Sequence, residues 1–263
     1  MSHTTISPQV FLWAQLSFVW AVASYAIISD PFSDEKEKKQ SRKWWVVLVL
    51  RSVVAAAIAM LMSHSFTLGF AILVGVAALP IIRTNIPTKS MTELECIFAL
   101  SFIGFMLWYV QHFKLALHSE LLIFPLSKER LAAVCLVGVT LLFTVRGGTY
   151  MVRGLLKRAD TLPHENAGKI DTIEVSRGRL IGNIERLMLT IVVAAGSYAG
   201  FGFLIAAKGF IRAEDLKKGR DFTEYFLVGS LASVLVALCA GLVIRFVLVA
   251  LWPELLSLQM QSS

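Results

Sequence analysis

Apolar residues run through this chain in long blocks separated by polar stretches, and the block lengths predict membrane-spanning helices. A helix needs about 20 mostly apolar residues to cross the hydrocarbon core of a bilayer. By that measure spans are expected near residues 10–28, 44–62, 65–82, 94–110, 131–145, 187–207 and 222–251. Little more than Ser63 and His64 separates the second from the third, which forces a tight helical hairpin. The seventh is long enough to tilt strongly or to project into water. The expected fold class is all-α, a polytopic transmembrane helical bundle of about seven spans forming one domain over residues 1–263.

Composition agrees with this pattern. Hydrophobic residues make up 56% of the 263 and charged residues 16%, against about 45–50% and about 25% in soluble domains. A disordered chain is excluded, and a water-soluble globule fits poorly. The net charge of +7 would raise nucleic acid as a partner in a soluble protein. Here the basic residues lie between apolar blocks, where they orient the chain and meet anionic lipid, so the expected partner is the bilayer and not nucleic acid. The first eight residues carry no Lys or Arg, so the first apolar block is expected to remain as a mature helix.

The connections are polar. Residues 30–43 hold five Lys/Arg and four acids and read as a solvated loop. In the longest connection, 146–179, Pro163 and Gly168 are expected to break any helix. No fixed-period repeat is visible. Counting Lys and Arg with the N-terminus outside gives 14 on the cytoplasmic side and 8 on the other, which favours N-terminus outside and C-terminus cytoplasmic. The basic 208–220 stretch then falls outside. A re-entrant sixth helix would return it to the cytoplasmic surface and put both chain ends outside.

The sequence carries no phosphate-binding loop, nucleophile elbow, H-E-x-x-H or C-x-x-C, so no enzymatic signature and no cofactor is implied. His112, His118 and Glu120 lie close together, but their spacing matches no metal motif, and no metal site is read there. Cys96, Cys135 and Cys239 are too far apart to frame a disulfide scaffold or thiolate metal site. Glu95, Glu185 and Glu224 are acids without an accompanying nucleophile and base, so no catalytic residue is assigned.

Charges at membrane depth are the better leads, because an ionised group in hydrocarbon costs several kcal/mol unless paired or wetted. Arg51 and Arg245 each lie near enough to a helix end to snorkel. At the entry to the sixth helix, Arg179, Asn183 and Arg186 fall three and four residues apart along one helical face, with Glu185 beside them. Glu185 and Arg186 point in different directions, so Arg51 or Arg245 is the expected partner of Glu185, in a cluster that clamps the bundle. Small residues also keep register: Gly229, Ser233, Ala237 and Gly241 on the seventh helix, Gly196 and Gly200 on the sixth. Such stripes let helices approach closely, at a seam between these two helices or at a face between copies of the chain, with a substrate path as the third reading.

Gly178-Arg179, Ile181-Gly182 and Glu185-Arg186, the segment 203–208 and the stretch 224–230 together resemble the C-terminal half of a bacterial integral-membrane family, domain of unknown function 3307. The likeness covers about 65 residues. The family's first helix typically bears a His and, four residues on, an Asp-Phe pair; the first helix here has neither, so no chemistry of those residues is carried over. The resemblance implies a polytopic protein of the bacterial inner membrane with no established reaction. The reading is of a non-enzymatic membrane subunit, scaffold or effector that works through helix–helix association, with itself or with a membrane or cytoplasmic protein. The alternative is a small-solute or ion transporter or channel whose charged path passes the sixth-helix entry.

Overall fold

The computed structural model describes residues 7–26, 42–85, 87–115, 127–159, 172–211, 213 and 220–255. Among these the protein is an all-α helical bundle without strands. Its helices are α1 (Pro8–Ala21), α2 (Arg42–Ser63), α3 (Phe66–Asn85), α4 (Met91–His112), α5 (Lys128–Leu142), α6 (Gly148–Arg158), α7 (Thr172–Ala194), α8 (Tyr198–Ile211) and α9 (Arg220–Leu251). A π-helical turn, Val22–Ala26, continues α1, and a second, Phe143–Gly147, joins α5 to α6. Five stretches are long and apolar enough to cross a membrane: Trp44–Ser63, Phe66–Arg83, Thr92–His112, Lys128–Arg158 and Phe226–Leu251.

Three expectations change. The fifth helix does not stop near 145 but continues through its π turn to Arg158. Arg146, Arg153, Lys157 and Arg158 end the apolar run, not the helix: α6 is amphipathic, burying Tyr150 and Leu156. The 146–179 connection is accordingly helical at both ends, while Pro163 and Gly168 lie outside the described residues. The expected sixth span, 187–207, is not one helix, because the chain turns between α7 and α8. Gly196 has φ +77°, a conformation L side chains avoid. Its N–H donates to the Val193 carbonyl and that of Ser197 to the Val192 carbonyl, the paired bonds of a Schellman cap.

The chain divides into two compact units. The first comprises Met1–Ile86 and Cys96–Leu142. In it α1 is central, burying Leu12, Leu16 and Trp20. Ser7 caps its start, accepting from the Val10 N–H, ahead of Pro8 at the first helical position. Trp20 stacks on Phe102 with ring centres 4.9 Å apart and meets Tyr25 edge-on at 5.8 Å. The Arg83 guanidinium lies 5.3 Å from the centre of the Tyr25 ring. α2 and α3 form the tight hairpin expected at Ser63-His64.

The second unit comprises Pro87–Glu95 and Phe143–Ser263. Its helix directions follow from three contacts. Arg186 bonds to Ser233, a Cβ at Gly241 would sit 2.5 Å from Val193 Cβ, and Gly196 packs against the Arg245 guanidinium. Residue numbers rise together on both sides, so α7 and α9 run parallel. Consecutive parallel helices need a return element, and α8 supplies it: Lys208 Nζ lies 2.7 Å from Glu185 Oε2, so α8 runs back along α7.

Candidate functional site

In the second unit, three elements converge on one charged side chain. Arg186, on α7, is 4% exposed. Its Nη1 donates to the Thr144 carbonyl at 3.0 Å, the Val145 carbonyl at 3.3 Å and Thr149 Oγ1 at 3.3 Å; its Nε donates to Ser233 Oγ at 3.3 Å. Thr149 Oγ1 also lies 3.0 Å from Asn183 Oδ1 and 2.8 Å from the Val145 carbonyl. All these oxygens are neutral. The π turn explains the carbonyl contribution, since i→i+5 bonding shifts carbonyls off the α-helical ladder toward other donors. Space for the guanidinium comes from Gly148, where a Cβ would stand 3.0 Å from Arg186 Nη1 and 3.1 Å from Val236 Cγ1.

Burying a guanidinium costs several kcal/mol even after relaxation. Hydrogen bonds to a charged group return about 1.5–3 kcal/mol each, so the three N–H groups of Nη1 and Nε, shared among four neutral oxygens, offset that cost. The arrangement is a clasp tying α7 to the π turn and to α9. It offers no nucleophile and no general base. Among the described residues no three of His, Cys, Asp and Glu come together as a metal set.

The remaining sequence candidates fall elsewhere. Glu185 pairs with Lys208 and not with Arg245, which packs under the Gly196 turn. The expected clamp is thereby corrected: Glu185 sits on a different face from the buried Arg186, and its side chain is 29% exposed. Arg51 is buried on α2, in the first unit. Arg179 lies on α7, but its side chain is outside the described residues. Glu95 is buried on α4 and Glu224 exposed on α9. His112 stacks on Trp108 with ring centres 5.1 Å apart, while His118 and Glu120 lie outside the described residues. The cysteines are free.

Of the small residues, Ser233, Ala237 and Gly241 are buried on the face of α9 toward α7, and a Cβ at Gly229 would stand 3.6 Å from Leu156 of α6. Gly196 and Gly200 do not form a stripe on one helix, because the turn separates them. Thr144, Thr149 and Lys208 are the participants that sequence reasoning missed. A helical Gly147-Gly148 pair beside two threonines was the available signal, marking a place where backbone meets a bulky neighbour. No family model, no curated protein and no solved structure matches the chain.

Proposed function

We propose that this polytopic membrane protein is a non-enzymatic subunit or scaffold that works through helix–helix association, in the inner membrane of a bacterium as the family resemblance implies. One observation carries the choice over a transport path: Arg186, the buried cation that joins α7 to its neighbours, is clasped by packed neutral oxygens. A conducting or transporting charge must meet water on its route. The small-residue stripe of α9 is used within the unit, against α7 and α6. Association with another chain would therefore use an outer apolar face such as Leu231, Leu235, Leu242 and Phe246 of α9, all exposed.

Two measurements test this. Cysteines introduced as Asn183→Cys and Thr190→Cys are expected to resist charged, water-borne thiol reagents in native membranes. Rapid labelling of both would replace the clasp with a wetted path and move the reading to transport. Native mass spectrometry in mild detergent is expected to find a homo-oligomer or a bound partner. A strictly monomeric, partner-free species would overturn the association reading.

A further inference from the structure

Helix α8 is strongly apolar, yet it buries no residue in the structure; Phe203 is 71% and Phe210 85% exposed. At 1.5 Å per residue its 14 residues reach about 21 Å, short of the roughly 30 Å hydrocarbon core. The Glu185–Lys208 ion pair brings its C-terminal end back to the middle of α7, where the polar residues Asn183, Glu185 and Arg186 give way to its apolar end. The parallel course of α7 and α9 requires the same return, and it rests on different residues. The apolar outer face of α7, with Leu180, Ile184, Met188 and Ile191 exposed at helical spacing, begins on the tip side of residue 179.

From these observations we infer that residues 172–211 form a re-entrant helical hairpin that enters and leaves the membrane at its cytoplasmic face. The outer side of α8 then lies against lipid acyl chains, and Lys208 near its end faces the anionic headgroups of the cytoplasmic leaflet. Charge gives an independent check. With α8 crossing, Lys and Arg divide 14 inside to 8 outside; with α8 returning, the five of residues 206–221 change sides and the division becomes 19 to 3. The positive-inside bias is far stronger for the hairpin. With α8 returning, α9 starts at the cytoplasmic face and finishes outside, on the side to which the charge count assigns the N-terminus. The inference uses the membrane reading alone, and its failure would leave the scaffold reading standing.

The test is cysteine labelling of the full chain in whole cells with a charged, impermeant maleimide, after Cys96, Cys135 and Cys239 are replaced by Ala. Glu165→Cys and Lys217→Cys are expected to stay unlabelled until the cells are opened, while Ser2→Cys and Ser262→Cys label at once. Phe203→Cys is expected to react with a membrane-soluble maleimide and not with the charged one. Residues 165 and 217 on opposite sides would overturn the hairpin, and 262 on the side of 217 would remove the α9 crossing. A wholly inverted pattern would overturn the cytoplasmic assignment, and reaction of residue 203 with the charged reagent would overturn the lipid contact. If the cysteine-free chain does not accumulate, a compartment-sensitive reporter at the C-terminus of the unaltered chain decides the side on which α9 ends. Activity outside the cell is expected, and activity inside overturns the proposal.

Discussion

Two helical hairpins, one in each unit, solve the same problem of reversal in apolar chain by different means. Between α2 and α3 the turn is polar. Ser63 Oγ donates to the Ala59 carbonyl, Ser65 N–H donates to Ser63 Oγ, and His64 takes φ +48°. Its arms of 22 and 20 residues each suffice to cross a bilayer. Between α7 and α8 the turn Ala195-Gly196-Ser197 sits within an apolar block, and its second arm has only 14 residues. Arm length, more than the turn, separates a hairpin that crosses from one that returns.

The clasp is where the comparison breaks most easily, since it ties the second hairpin to the π turn and to α9 through one buried cation. Arg186→Ala removes the cation and leaves Ser233, Thr149 and two π-turn carbonyls around a cavity. The expected loss is about 3–5 kcal/mol, from two or three buried neutral acceptors left unsatisfied at about 1–3 kcal/mol each. Thermal unfolding in detergent checks it, with Arg186→Lys expected to recover part of the loss through a single point contact. A loss below about 1 kcal/mol would mean that water replaces the guanidinium freely.

Next comes the turn itself. Gly196→Ala forces a Cβ into a left-handed conformation, worth about 1–2 kcal/mol, and against the Arg245 guanidinium, where overpacking adds about 1–3 kcal/mol. Gly200→Ala is the control. Its new Cβ would meet Ser197 Oγ at 2.8 Å, the end of a small side chain, and Val192 Cγ1 of α7 at 3.3 Å, and the gain in helix propensity offsets that crowding. A shared glycine stripe would make the two substitutions equally harmful, so near-equal losses in melting temperature would overturn the turn reading.

The same glycine shows where the sequence becomes hard to read. Apolar run length located the membrane segments of α2, α3, α4 and α9 because a span is set by a length of hydrocarbon. It joined α7 to α8 because Gly196 is as apolar as its neighbours, and a turn made by one φ angle leaves no polar mark. Ser63-His64, by contrast, is visible because its caps are side chains. The clasp was half legible. The Arg186 charge stands out within an apolar helix, but two of its partners are backbone carbonyls, which every residue carries.

The ion pair beside the second turn sharpens the comparison further. Lys208 and Glu185 are 17% and 29% exposed. Partly solvated pairs are worth about 0.2–1 kcal/mol and weaken with salt. Lys208→Ala is expected to cost that much, and the charge reversal Glu185→Lys with Lys208→Glu to restore it. Double-mutant cycles at low and high salt measure the coupling. A coupling above about 2 kcal/mol would place the pair in a far drier setting than its exposure indicates.

The smallest effect belongs to the first turn and has the opposite sign. His64 is exposed, and its N–H closes the end of α2 by donating to the Met60 carbonyl at 2.8 Å. Its positive φ costs a residue with a Cβ about 1–2 kcal/mol, the lower part of that range for His, which visits this region more readily than bulkier types. His64→Gly removes the strain but gives the unfolded chain more freedom, which takes back about 0.4–1 kcal/mol. The balance is a stabilisation of no more than about 1 kcal/mol. His64→Val should lose stability, because a β-branched side chain tolerates this conformation worst. The expected order of melting temperatures is therefore Gly at or above His, and His above Val. A clear loss in His64→Gly would show that the imidazole side chain, and not the backbone it sits on, sets this turn; the two hairpins would then differ in what holds the reversal as well as in the length of their arms.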